Sequence, residues 1–429
     1  MTNEAILKKV QANFNLSTNA LKEMIGAFHD EMRLGLEGHE SSLKMLPTFV
    51  DRATGKELGS FMALDLGGTN FRVLEVKLGR GGKVKVEHVG KYVIPKAVMR
   101  GTGEQLFNFI AQSIEKFMVD HRIGYDKKRD LGFTFSFPMK QTDITHGMLI
   151  NWTKGFTATG VVGKNVTNLL IAALKRNGID SIKVAALAND TVGTMVACSY
   201  QDQRCDVGII FGTGTNACYR EPSTEMIVNI EWGNFNKLPI NDYDIKHDKA
   251  SNNPGKQVME KMISGMYLGG IAQLVLADLI KSKLIFKNCK AKITKGTVTT
   301  TRMSHIEADL SKKLTKVDEY LDSIGIIDSS LAERALVQKI CELVSRRAAR
   351  ISAAAMSAVV TWMDPQLKSD HTIAIDGTLY ERYPGFRKTI VATLKELHNS
   401  HAKKFKLTHT QDGSGIGVAV VAAVIAHSK

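Results

Sequence analysis

Apolar positions recur along this 429-residue chain with two periods, and the switches between them mark its elements. Leu21, Met24, Ile25, Phe28 and Met32 fall three and four apart, which predicts a helix over 17–37, capped by Ser17 or Thr18 and ended at Gly38. β-rich runs at 61–66, 71–78 and 84–93, parted by Gly67-Gly68 and Gly79-Arg80-Gly81-Gly82, predict three consecutive strands. A helix follows from about Gly103 to His121, with Leu106, Phe107, Ile110, Ile114 and Phe117 on its core side, then a short strand from Asp130 closed by Pro138. Residues 139–165 show no clear period and read as a donor-rich loop. Helix Val166–Arg176 and strand Ile182–Leu187 lead to Asn189-Asp190, and Val207–Ala217 repeats the strand–turn–strand plan. The second half is mainly helical. Ser330-Leu331-Ala332-Glu333 is a capping box opening a long helix to Asp364, where Pro365 stops it. A strand His371–Ile375 and an apolar helix Val418–His427 complete the pattern.

Composition narrows the class. With 44% hydrophobic and 23% charged residues the chain is an ordinary globular protein, and its length favours two domains. The net charge of +14 raises nucleic acid or an acidic surface as partners. The lysines and arginines are spread, however, and the densest group, His401-Ala402-Lys403-Lys404-Phe405-Lys406, comes with no helix-turn-helix or stacking motif. A solvated basic face is expected, with no nucleic acid as partner. Cys198, Cys205, Cys218, Cys289 and Cys341 are odd in number and lack CxxC spacing, which points to a reducing compartment without a disulfide framework or zinc site. Met1–Gln11 is polar and mixed, without a signal-peptide core, and the longest apolar run, Ile351–Met363, is too short to span a bilayer. A cytoplasmic protein without a membrane anchor is the expectation.

Chemistry concentrates in the glycine turns. In Ala63-Leu64-Asp65-Leu66-Gly67-Gly68-Thr69-Asn70-Phe71-Arg72, the glycines permit a tight hairpin whose backbone N–H groups, with Thr69, Asn70 and Arg72, suit phosphate oxygens. Asp65 sits where a carboxylate holds a metal's water rather than the metal itself. Gly212-Thr213-Gly214-Thr215-Asn216 repeats the plan, so two related lobes facing one phosphate chain are expected. Asp376-Gly377-Thr378 is a third acidic–glycine turn, and Asp412-Gly413-Ser414-Gly415 opens the last helix with amides that suit an anion. Several decoys fall away. Gly212–Ala217 matches G-x-G-x-x-A, but Cys218-Tyr219 and Pro222 follow where a Rossmann site needs a helix. There is no P-loop, no protein-kinase motif set and no G-x-S-x-G, and His398 and His401, without further ligands, read as surface residues.

Together, Leu64–Arg72, Phe135-Ser136-Phe137-Pro138, Asn151-Trp152-Thr153-Lys154-Gly155-Phe156, Leu187-Ala188-Asn189-Asp190-Thr191, Gly212–Asn216, Glu231-Trp232-Gly233, Asn253–Gly269, Asp376–Tyr380 and Asp412–Gly415 resemble the eukaryotic hexokinase family, in order from about residue 20 onward. The resemblance implies an α/β actin-like ATPase (ribonuclease H-like) fold: two lobes around a cleft, each with a mixed five-stranded sheet. It divides the chain into residues 1–58 and 190–415 of a large domain, 59–189 of a small domain, and 416–429 returning to the small domain. It implies transfer of the γ-phosphate of ATP to the 6-hydroxyl of glucose or a similar hexose, the first step of glycolysis, with Mg²⁺. By the resemblance Ser136, Thr153, Lys154, Asn189, Asp190, Asn216, Glu231 and Glu260 are the sugar set, with Asp190 the base beside Lys154. Asp65, Gly67, Gly68, Thr69, Asn70, Arg72, Gly212, Thr213, Asp376, Gly377, Thr378 and Ser414 are the nucleotide set. A monomer or homodimer is implied.

The residue types fit that chemistry. Sugar hydroxyls donate and accept, which carboxylates and amides satisfy. Phosphoryl transfer needs positioning and charge neutralisation, and competing water calls for a cleft that closes on the sugar. The chain also departs from the family pattern. Ile416 and Val418 replace a common Lys and Ala, Gly270 stands where Glu is common, and Gly160 and Lys164 stand where acids are frequent. Ile416 is expected to weaken the adenosine-side contact. A non-catalytic sugar sensor gives the Asp190–Lys154 pair no use, and an assembly ATPase gives none to Thr153-Lys154 or Asn189-Asp190.

Overall fold

The computed structural model describes residues 2–51, 53–68, 70–287 and 293–427. Thr69 of the first glycine turn and Cys289 lie outside the described residues. The strands, in chain order, are β1 Leu46–Pro47, β2 Gly59–Leu66, β3 Asn70–Gly79, β4 Lys83–Val93, β5 Arg129–Phe135, β6 Met139–Asp143, β7 His146–Leu149, β8 Ile182–Ala188, β9 Cys205–Phe211, β10 Thr215–Arg220, β11 Ile227–Asn229, β12 His371–Asp376 and β13 Phe405–His409.

Two mixed sheets organise them. The first has five strands in the order β4-β3-β2-β5-β8, and the second six, in the order β1-β11-β10-β9-β12-β13. The expected five-stranded second sheet is therefore extended by the two-residue β1, whose Leu46 and Pro47 pair with Asn229 and Val228. In the first sheet β2 is paired along both edges, by antiparallel β3 and parallel β5, and with core clusters on both its faces Phe61–Leu66 are all buried. The edge strand β4 instead alternates half-buried and exposed positions.

The sheets are joined by two helices packed on each other. The helix Asp190–Gln201 lies on β9, β10 and β12, and the helix Gly413–His427 lies on β2, β5 and β8. The order through the molecule is first sheet, C-terminal helix, Asp190 helix, second sheet. Glycines let these layers meet: a Cβ on Gly132 of β5 would stand 2.1 Å from Val418 O, and one on Gly208 of β9 would stand 2.3 Å from Thr191 O.

Outside these layers, one core cluster joins the helices Gly103–Asp120 and Val166–Arg176 to the outer face of the first sheet. A larger one surrounds the helix Leu331–Met363, whose Ser330/Glu333 capping box forms as read. The last helix opens at Gly413 rather than Val418. Three readings are corrected. Residues 139–165 contain the hairpin β6–β7, in which Met139, Gln141, Gly147 and Leu149 are buried in alternation with exposed or half-buried neighbours. The polar N-terminus forms a helix, Asn3–Phe14, capped by Thr2 and buried through Ile6, Val10 and Phe14. His398 is half-buried rather than superficial, bonded to Ser357 Oγ and stacked on Phe405.

Candidate active site

The residues of interest lie at the carboxyl ends of strands, where open α/β sheets leave a crevice. Gly67 and Gly68 follow β2, Ser136 follows β5, Asn189 and Asp190 follow β8, and the Gly212–Gly214 turn joins β9 to β10. Asp376 ends β12. A cavity of about 150 Å³ between the sheets is lined by Gly67, Ser136, Thr153, Lys154, Asn189, Asp190, Asn216, Glu231 and Glu260, together with Thr213 and Gln257. All eight residues of the predicted sugar set thus share one cavity.

Lys154 is held from the first-sheet side. Trp152 donates its indole N–H to Ala158 O at 2.8 Å and packs edge-on to Phe137 and flat on Phe156. That aromatic block fixes the next two residues. Lys154 Nζ donates to Gly67 O at 2.9 Å and Ser136 O at 2.8 Å, and stands 4.0 Å from Asp190 Oδ2. Asn189 caps the Asp190 helix by accepting from Thr191 N–H at 3.1 Å, and Asp190 Oδ1 accepts from the same N–H at 2.9 Å. Both side chains therefore sit at the positive end of that helix. Among the described residues Ser136 Oγ is buried without a hydrogen-bond partner, a polar atom left for something in the cavity.

The opposite wall carries the acids. Thr215 N–H donates to Glu260 Oε2 at 3.0 Å, and Asn216 Nδ2 reaches Asn189 Oδ1 at 3.3 Å and Glu231 Oε1 at 3.2 Å. Trp232 Nε1–H donates to Thr215 Oγ1 at 2.9 Å, locking the strand beneath. Burial pushes the Glu231 carboxyl up, against the Asn229 amide and Lys44. Glu260 keeps some surface open to the cavity, yet enclosure by protein pushes it up to about 7, opposed by Thr215 N–H and Lys154. Lys154, Glu231 and Gln257 all have left-handed backbones, with φ of +55°, +56° and +55°.

The nucleotide set is partly tied together. Asp65 Oδ2 accepts from Arg72 Nε at 3.1 Å and from Ser414 Oγ at 2.8 Å, and Arg72 also bonds Asp412. Burial works against the Arg72 charge, but Asp65, Asp412 and Asp376 raise its pKa. Asp376 is pushed up by burial, opposed by Arg72, and accepts from Gly413 N–H at 2.9 Å. Gly68 is half-buried beside exposed Asn70. Thr213 and Thr378 are exposed beside half-buried Gly212 and Gly377. Gly377, with φ +120°, crosses so near Phe211 O that a Cβ would lie 2.3 Å from it.

Sequence reasoning assigned no role to the neighbours of this set. Gly265 N–H donates to Gly212 O at 2.8 Å and Met266 N–H to Thr213 O at 3.0 Å, and both line a groove of about 480 Å³ with Thr299, Thr300 and Lys295. A Cβ on Gly270, in the same groove, would meet His247 Nε2 at 2.4 Å, so its lack of a side chain makes room for that ring. Ile416 packs against the core cluster between the sheets. Asn229 and Gln257 also escaped notice, since lone amides carry no spacing signal.

Among the described residues no helix is long and apolar enough to cross a membrane. Hexokinase family models match residues 6–200 and 206–424. Hexokinase-1 of Spinacia oleracea is 42% identical over 457 residues, covering 99% of this chain and 91% of that protein. Hexokinase-7 of Oryza sativa subsp. japonica is 42% identical, covering 95% of this chain and 94% of that protein. Hexokinase-1 of Homo sapiens is 42% identical over 97% of this chain, which spans only 48% of that protein's length. The structure of a hexokinase from Schistosoma mansoni complexed with glucose superposes with a TM-score of 0.89 at 34% identity, covering 99% of this chain and 100% of that one. This chain has the two-lobed actin-like ATPase fold, and it belongs to the hexokinase family.

Proposed function

We propose that this chain transfers the γ-phosphoryl group of ATP to the 6-hydroxyl of glucose or a similar hexose, as an ATP:D-hexose 6-phosphotransferase. The observation that carries this reading is the single cavity in which Asp190, Lys154, Asn189, Asn216, Glu231 and Glu260 converge. Carboxylates and amides on opposite walls suit a ligand ringed by hydroxyls, and Ser136 Oγ has no other partner among the described residues. The Schistosoma mansoni structure, which holds glucose, supports the same ligand class here.

In this reading Asp190 accepts the proton of the hydroxyl as its oxygen bonds to the γ-phosphorus and the bridging oxygen leaves with ADP. Lys154, fixed by two carbonyls, stands beside Asp190 where negative charge gathers. The Gly67–Gly68 and Gly212–Gly214 turns offer backbone N–H groups to the phosphates, with Asn70, Arg72, Thr213, Thr378 and Ser414 around them. The groove past Gly265 and Met266 suits the nucleoside end. Asp65 fits a role toward Mg²⁺, because its recorded bonds among the described residues all fall on Oδ2, leaving Oδ1 for a metal's water. Mg²⁺ bound to the phosphates would supply charge neutralisation.

The reading includes motion. Residues 59–189 with 416–429 form the small lobe and 1–58 with 190–415 the large one. Lys154 and Thr153 face Glu231 and Glu260 across the boundary, so a hexose touching both walls draws them together and excludes water. Four free cysteines among the described residues accord with a reducing, cytoplasmic setting. A coupled assay of ATP consumption tests the reading: ADP should appear with glucose 6-phosphate and depend on glucose. ATP consumption indifferent to every hexose would overturn it.

A further inference from the structure

One buried amide stands behind the cavity and touches two of the residues that line it. Asn229 is the last residue of β11, paired across the sheet with Cys218 of β10 and Leu46 of β1, and it is 5% exposed. It does not line the cavity. Its Oδ1 accepts from Asn216 Nδ2 at 2.8 Å, and its Nδ2 donates to Glu231 Oε1 at 2.9 Å. Glu231 lies two residues on and its own backbone is left-handed, so its carboxylate reaches back to the strand that carries Asn229.

We propose that Asn229 is a positioning residue for hexose binding, setting the relative orientation of Glu231 and Asn216 by donating to one and accepting from the other. This rests on the hexose-phosphorylating reading above. The amide is the only short side chain that offers a donor and an acceptor on one fork. Aspartate in its place would present two acceptors to Glu231 when ionised, and leucine of similar size would present nothing. With Glu231 Oε1 taken by the two amides, no recorded bond among the described residues falls on Oε2, which remains for a sugar hydroxyl. Charged groups around Glu231 come from both walls: Lys44 ahead of β1, Lys154 and Asp190 across the cavity, and Glu260 beside it.

The test is steady-state kinetics of the full chain and of Asn229→Asp, Asn229→Leu and Asn229→Ser, from the acid to the alkaline side of neutrality. Each value is taken as a ratio to the wild type at that pH, which removes the pH dependence the proteins share, and Asn229→Leu, which adds no charge, shows what is left. For Asn229→Asp the hexose KM should rise about tenfold or more above pH ~7 and fall back as pH drops, because a proton shared by the two carboxyls restores the donor. Asn229→Leu should raise the hexose KM without recovery in acid, with ATP KM and kcat each changed less than about threefold. A hexose KM ratio for Asn229→Asp that stays flat with pH overturns the proposal. So does a shift of ATP KM and kcat in step with it, the mark of general structural damage. If the leucine variant fails to fold, Asn229→Asp and Asn229→Ser carry the comparison, and loss of folding in those too would assign Asn229 to stability instead. Wild-type protein that ignores hexose would refute the underlying reading, whatever the variants do.

Discussion

A methyl group built on Gly417 of the C-terminal helix would stand 1.7 Å from the carbonyl oxygen of Gly193 on the Asp190 helix. The obstructing atom is backbone, so no side chain can swing away, and the two middle layers would have to part. Gly417→Ala should therefore lower stability by about 1–3 kcal/mol or more, read as a fall in Tm. Gly26→Ala is the control: that glycine is mid-helix with nothing within 4 Å of its built Cβ, and alanine there should hold or raise Tm. Equal Tm values for both variants would refute the close-packed crossing.

Asp190→Ala should lower kcat by roughly 10²–10⁴-fold while hexose titration moves far less. Retention of more than about a tenth of wild-type kcat would show that another group takes the proton.

How much of this was legible beforehand follows from distance along the chain. Strands β2, β3 and β4 and their glycine turns announce themselves through local alternation, and the Ser330 capping box is a four-residue signal. The β6–β7 hairpin was missed because Met139, Gln141, Gly147 and Leu149 mix apolar, amide and glycine on the buried face. The first helix was missed because Ile6, Val10 and Phe14 form a stripe one residue wide among lysines and amides. The sugar and nucleotide sets were assigned by resemblance, since nothing local to Arg72 tells of Asp412, its partner 340 positions on. Asn229, two residues ahead of the Glu231-Trp232-Gly233 motif, carried no signal of its own. Its role depends on β10 and β11 pairing side by side.

Hexose binding should release a proton near neutrality. Burial keeps the Glu260 carboxyl protonated up to about 7, and hydroxyls donating to it favour its ionised form. Affinity should then rise with pH through that value. Calorimetry in two buffers of different ionisation enthalpy measures the release, and Glu260→Gln should abolish it. Equal heats in both buffers for the wild type would contradict this account.

A second raised acid lies outside this cavity. Glu307 ends the helix Thr300–Glu307, accepts from Ser345 Oγ at 2.7 Å, and is pushed by burial up to about 7. The unfolded chain releases this proton near 4.5 and the folded one holds it to about 7, so this group's contribution to stability falls as pH rises between those values. Glu307→Gln should remove that slope, gaining on the wild type above pH 7 and not at the acid end. Urea midpoints at both ends measure it, and parallel pH curves would refute it.

The left-handed backbones at Lys154, Glu231 and Gln257 bear on anyone seeking a hardier variant. Each conformation costs a side-chain-bearing residue about 1 kcal/mol, and three of them crowd one small cavity. A screen for heat resistance will find glycine or asparagine welcome at these positions, and in accepting them will discard side chains that line the cavity. The same backbone occurs at exposed Arg122, just past the helix Gly103–Asp120, where nothing in the cavity depends on the side chain. Durability can be sought there, whereas around the cavity instability is the condition of recognition.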